Sequence, residues 1–127
     1  VGMLDSDGVR LGEGNEALAA MGSILASASN VSGVIPNISI VFGNCAGGSA
    51  VAAAMSDFVI MNGKNGRMFV TGPAVTEAST GKKLPADAKG NVNESGNAHL
   101  IGTTDEKKSG DFAGNNGKNY CIRVNFV

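Results

Sequence analysis

Glycine constrains this chain more than any other residue. There are 19 in 127 residues, about twice the usual share. They follow no three-residue period, which excludes a collagen-like chain. They gather instead at breaks between apolar runs, where positive φ or close backbone approach is needed. A chain punctuated in this way is expected to fold into short elements joined by tight strand-to-helix junctions.

The apolar runs alternate in type. Val1 to Leu4 reads as the end of a strand, and residues 5–14 as a polar loop. Residues 15–29 carry Ala17, Leu18, Met21, Ile24, Leu25 and Ala28 at three- and four-residue spacing, which predicts a helix capped by Asn15. Residues 37–42 and 58–61 are β-branched or apolar and predict buried strands. Between them, 43–48 is a tight turn and 49–55 a short apolar helix. A third strand is expected at 67–70, followed by a Gly/Pro/Thr-rich stretch to Gly81. The continuous apolar character of the central strands suggests a sheet covered on both faces. Residues 82–94 read as polar and exposed, and 102–119 as a linker. Tyr120, Ile122, Val124 and Phe126 alternate like a strand. Strands alternating with helices predict an α/β layered domain.

Charge and length narrow the function classes. The net charge of −1 gives no basic footprint for nucleic acid. The apolar stretches are too short to span a bilayer. Cys45 and Cys121 form neither metal-ligand spacing nor a disulfide framework, so no metal is expected and the default compartment is a reducing cytoplasm, or the mitochondrial matrix in a eukaryote. Val1 opens the chain inside a strand, which reads as truncation upstream.

The segment with chemical potential runs Ile38-Ser39-Ile40-Val41-Phe42-Gly43-Asn44-Cys45-Ala46-Gly47-Gly48-Ser49-Ala50. A strand feeds a glycine pair that opens a helix of small residues. The first N–H groups of a helix lack intrahelical acceptors and sit at the positive end of its dipole. They suit an anion, or a carbonyl that becomes an oxyanion. A P-loop lysine is missing. The plainer reading is that glycine lets a helix pack close to a strand. A second loop, residues 5–14, lies between a strand and a helix in the same way. It could supply a further N–H to the same oxygen, or be a solvated connection.

Several motifs in register resemble one family. They are Ser32-Gly33-Val34-Ile35-Pro36, Asn44-Cys45-Ala46-Gly47-Gly48, Ala54-Met55-Ser56-Asp57-Phe58 and Met68-Phe69-Val70-Thr71-Gly72-Pro73. With the Asp5–Gly14 loop and Ser95-Gly96-Asn97-Ala98-His99, they resemble the β subunits of propionyl-CoA and related biotin-dependent acyl-CoA carboxylases and decarboxylases, over residues 2–105. The resemblance implies a partial crotonase-like (ClpP/crotonase) ββα-spiral domain at 1–106, cut off upstream. It leaves 107–127 as a polar linker and strand of unknown origin.

It also implies carboxyl transfer between carboxybiotin and a short-chain acyl-CoA. The thioester oxyanion would be held by the backbone of Gly47 and Gly48, with Gly8, Val9, Arg10, Ala46 and Ser49 around the substrate. Biotin would arrive on a carrier protein served by a biotin carboxylase subunit, and the enzyme would be a homo-oligomer. Because the family's C-terminal half is missing, the isolated chain is expected to be inactive or a CoA-binding assembly piece. Two positions depart from the family. Asp7 stands at a glycine and Val9 at an alanine, which would put a negative charge where the thioester passes.

Other residues have bland readings beside sharp ones. His99 is the lone histidine and reads as a packing residue before a base. Cys45 reads as a small buried hydrophobe before a nucleophile. Ser49 as a nucleophile would need His99 as its base. A hydratase or isomerase would need acids such as Glu13 or Glu16 at the glycine loops.

Overall fold

A computed structural model describes residues 1–102, 110–114 and 119–122. Its strands form one seven-stranded sheet. Strand β1 (Gly2–Ser6) leads through a 3-10 turn (Leu11–Glu13) into helix α1 (Asn15–Val31), then β2 (Ile38–Ala46), helix α2 (Gly48–Ala54) and β3 (Phe58–Asn62). β1 and β3 flank β2, both parallel to it, so each helix is a crossover between parallel neighbours. After a jog at residues 63–66, β4 (Arg67–Phe69) continues along the same edge of β2, pairing Asn44 to Ala46 where β3 paired Ile38 to Val41. Asn62 Oδ1 shapes the jog by accepting the N–H groups of Lys64 and Asn65 at 2.8 and 3.3 Å.

Helices α3 (Pro73–Thr80) and α4 (Ala88–Asn93) precede β5 (Leu100–Gly102), which pairs parallel with β3. Strands β6 (Gly110–Gly114) and β7 (Asn119–Ile122) add an antiparallel edge. The core gathers Val41, Cys45, Val59, Met61 and Met68 of the sheet under Ala50 and Ala53 of α2 and Ala88 and Val92 of α4.

Several expectations need correction. Helix α1 starts on Gly14 with no side-chain cap, so Asn15 is its first residue and not its cap. Of its expected face, Ala17 is buried and Met21, Leu25 and Ala28 are half-buried, but Leu18 and Ile24 stand out at 63% and 53% exposure. β2 runs on to Ala46 through the span read as a turn, because β4 supplies ladder partners that local sequence does not disclose.

The stretch 82–94 is not all exposed. Helix α4 lies in it, with Ala88, Gly90, Asn91 and Val92 buried. Pro73 at N1 and Gly81 in the left-handed conformation delimit α3, which composition alone hid. The sheet is covered unevenly: β3 is buried on both faces, with Val59, Ile60 and Met61 at 0%, 2% and 0% exposure, but the Ile60 face opens toward β1 and the middle of β2, where Met3 and Phe42 are exposed at 66% and 38%. Residues 110–114, read as linker, form β6, and the described part of the expected terminal strand is β7. The positions of Val124 and Phe126 lie outside the described residues.

Candidate functional site

The glycine pair sits at the carboxyl end of β2, where the chain leaves the sheet for α2. Gly47 has φ +64°, which glycine adopts without strain, and its Cβ position faces open space. Its N–H is committed to the sheet, donating to Phe69 O at 3.0 Å. Its carbonyl accepts from Ala50 and Val51, starting α2. The N–H groups of Gly48 and Ser49 follow as the first of the helix and meet no acceptor among the described residues. The donors left for a ligand are therefore Gly48 and Ser49, one step along from the expected Gly47 and Gly48.

Gly48 also carries the plainer role. A Cβ there would lie 2.6 and 2.8 Å from Cγ and Sδ of Met21. Its missing side chain lets α1 and α2 pack together.

The first loop does approach the glycine turn. Gly8, at φ +108°, would bring a Cβ 3.6 Å from Ala46 O. Its N–H is taken by Ser6 Oγ at 3.3 Å, which leaves the half-buried Val9 as the nearest N–H of that loop without an acceptor among the described residues. Arg10 points into solvent and pairs with Glu13 at 3.4 Å. An exposed pair of this kind contributes little to stability. Asp7 does not stand bare in the substrate path, because its Oδ1 accepts the Asn44 side-chain N–H at 2.6 Å.

Ser49 and His99 do not meet. Ser49 lies just beyond the carboxyl end of β2. His99 sits at the other end of the sheet, exchanging hydrogen bonds with Val59: its N–H donates to Val59 O at 2.9 Å and its Nδ1 accepts Val59 N–H at 3.0 Å. Val59 is opposite Ser39, so about eight strand residues, roughly 25 Å, separate the two sites. The His99 ring packs edge-on against Phe58, centroids 5.8 Å apart. A serine–histidine pair is excluded and the packing reading of His99 stands. Cys45 is fully buried, and burial pushes its thiol up to about 11, which suppresses the thiolate a nucleophile needs.

A feature the sequence did not announce lies beside the turn. Met68 to Thr71, Pro73 and Thr76 face Leu84 to Ala86 and the end of α4 across a cleft of ≈ 430 Å³. Only the Thr71-Gly72-Pro73 break after β4 signalled it.

Residues 1–111 match the model of the carboxyl transferase domain. The chain belongs to the carboxyl transferase family. It is 41% identical over 111 residues to a putative propionyl-CoA carboxylase beta chain of Bacillus subtilis, covering 84% of this chain and 22% of that one. It is 39% identical over 106 residues to the methylmalonyl-CoA carboxyltransferase 12S subunit of Propionibacterium freudenreichii subsp. shermanii, covering 80% and 20%. A solved transcarboxylase 12S, with hydrolysed methylmalonyl-coenzyme A bound, superposes with a TM-score of 0.74 at 37% identity, over 81% of this chain and 21% of that one. The chain thus spans about a fifth of the length of these relatives. The fold is crotonase-like, as in those enzymes. The match runs past residue 105 into β6.

Proposed function

We propose that this carboxyl transferase domain binds the acyl-CoA side of a biotin-dependent carboxyl transfer, with the thioester oxygen seated on the N–H groups of Gly48 and Ser49. The observation that carries this is the open pair of helix N–H groups at the carboxyl edge of a parallel sheet, in a chain of this family. Ligands of such sheets favour that edge. Removing the proton beside the thioester carbonyl leaves an enolate. Donors already aimed at its oxygen stabilise the charge where it develops, without reorganisation. The enolate carbon would then bond to the carboxyl carbon as the N–carboxyl bond of carboxybiotin breaks, the freed biotin nitrogen taking up the proton lost from the thioester carbon. No side-chain nucleophile is required, which suits a site whose serine and cysteine are unactivated. Val9 N–H is a further donor from the first loop.

Carboxybiotin supplies the carboxyl group as a co-substrate carried by a partner protein, itself charged by a biotin carboxylase. We assign no residue of this chain to it. The chain spans a fifth of its relatives, which favours a domain that binds acyl-CoA but does not turn over alone, within a larger oligomeric enzyme.

Calorimetry with propionyl-CoA and free CoA tests the reading. Propionyl-CoA is expected to bind more tightly, because only it offers the thioester oxygen. Equal affinity, or no binding by folded protein, overturns it. A transfer assay with free carboxybiotin and propionyl-CoA is expected to give no turnover. A rate near about 10 s⁻¹, ordinary for an enzyme, would show that the chain is catalytically sufficient.

A further inference from the structure

We propose that the cleft between β4, α3 and α4 receives the acyl group of the thioester, and that the domain therefore accepts uncharged acyl chains longer than propionyl. This rests on the thioester seat at Gly48 and extends it. The first support is position. β2 and β4 are parallel, so both end at the same edge of the sheet, and Gly47 donates to Phe69 O at 3.0 Å. Phe69 and Val70 line the cleft. A thioester held at Gly48 thus has the cleft directly beside it.

The second support is chemistry. The polar side chains of the wall are turned to the backbone. Asn91 Nδ2 donates to the carbonyls of Met68, Ala86 and Asp87 at 3.0–3.2 Å. Thr76 Oγ1 donates to Gly72 O, and Ser95 Oγ to Asn91 O, both at 3.3 Å. What remains for a ligand is mostly apolar, including Val70 and Leu84, which are 63% and 56% exposed to water at the rim, with the exposed Thr71 and Asn97 as polar lining residues beside them. An apolar guest would release that water. Glu94 also lines the cleft, and its charge disfavours a guest ending in a carboxylate. The volume, ≈ 430 Å³, falls in the range of small-molecule sites, roughly 300–1,000 Å³. That is ample for a chain of several carbons.

The test titrates the full chain with acetyl-, propionyl-, butyryl-, hexanoyl- and succinyl-CoA. Affinity is expected to rise by about two- to fourfold per methylene, with succinyl-CoA weaker than butyryl-CoA. Leu84→Trp, filling the cleft from its rim, is expected to flatten the series beyond propionyl. Val70→Trp, from the opposite wall, provides the same test should the first variant fold poorly. A flat wild-type series, or a slope that survives in a folded Trp variant, overturns the cleft assignment and leaves the thioester seat standing. If no acyl-CoA binds, acetyl-CoA included, both fall.

Discussion

The carboxylate of Asp5 stands where a Cβ on Gly43 would be. An ideal Cβ at Gly43 falls on that carboxylate, 2.7 Å from Cγ. The reason lies in the ladder. The register of β1 on β2 shifts between Leu4 and Ser6, so Asn44 N–H loses its strand partner and donates to Asp5 Oδ1 at 3.1 Å. The Asn44 side chain then donates to Asp7. Asn44 is gripped through backbone and side chain, and the loop carrying Gly8 and Val9 is pinned to the strand that ends at the glycine turn. Both candidate donor segments are thereby tied to the same stretch of β2.

Gly43→Ala should therefore destabilise the fold. The added methyl must expel the Asp5 carboxylate and leave Asn44 N–H unpaired. Overpacking of this kind costs about 1–3 kcal/mol, a melting point lower by several degrees. Combined with Asp5→Ala the methyl has room, so the double variant should lose less than the sum of the singles. Strict additivity in a double-mutant cycle would show that Gly43 and Asp5 do not interact.

How much of this was readable in advance depends on where the information sits. The strand–glycine pair–helix junction was legible because its signal is local: an apolar run, two glycines, then small residues. The commitment of Gly47 N–H was not legible, because its acceptor, Phe69 O, belongs to a residue 22 positions away in sequence. Helix α4 was hidden for a related reason. Its sequence, AKGNVN, offers only two apolar side chains, and its burial depends on Asn91 bonding to carbonyls of other segments. The continuous apolar run of β3 did announce burial on both faces, but nothing in the span of β2 told that Phe42 would face water.

Asn91 supplies the second prediction. It is 3% exposed, and its Nδ2 serves three backbone carbonyls on the cleft wall. Asn91→Leu keeps the volume but removes the donor. Leaving buried acceptors unsatisfied should cost about 2–3 kcal/mol. Asn91→Asp should be worse near neutral pH, where a carboxylate would face those carbonyls, and should recover partly in acid as it protonates. Urea denaturation at two pH values checks this. A pH-independent penalty for Asn91→Asp would contradict the donor role.

Cys45 should be chemically silent. With its thiol pushed from 9.0 up to about 11 by burial, the thiolate fraction at pH 8 drops about a hundredfold. In a Cys121→Ser background, iodoacetamide should label the native protein about two orders of magnitude more slowly than the unfolded chain. The same shift has a sign for stability. The folded state holds the thiol proton more tightly, so its contribution is present below pH 9 and is lost as pH rises through about 11. Cys45→Ala should flatten that alkaline decline in the urea midpoint. Rapid labelling of native protein would show instead that the site opens or that the thiol is activated.

The sharpest test of the proposed oxyanion seat removes the Gly48 N–H itself. A bulky residue at Gly48 is a poor probe, because its Cβ would push on Met21 and so disturb the packing of α1 on α2. Proline is better. Gly48 is the first residue of α2, the position where proline fits a helix and its missing N–H breaks no internal bond. Met21→Ala makes room. The pair to compare is thus Met21→Ala/Gly48→Ala and Met21→Ala/Gly48→Pro, which differ chiefly in one hydrogen-bond donor. In a complete enzyme containing this domain, the proline variant should turn over about a hundredfold more slowly than its alanine partner, the usual cost of one oxyanion donor. Ground-state affinity for propionyl-CoA should fall less, since a neutral carbonyl is a weaker acceptor than an enolate. Melting curves establish that both variants are folded. Ser49→Ala, which keeps its backbone N–H, should leave turnover nearly intact. Should Ser49→Ala abolish activity while the proline variant retains it, the backbone seat is wrong and a hydroxyl nucleophile must take its place, with a base other than the distant His99.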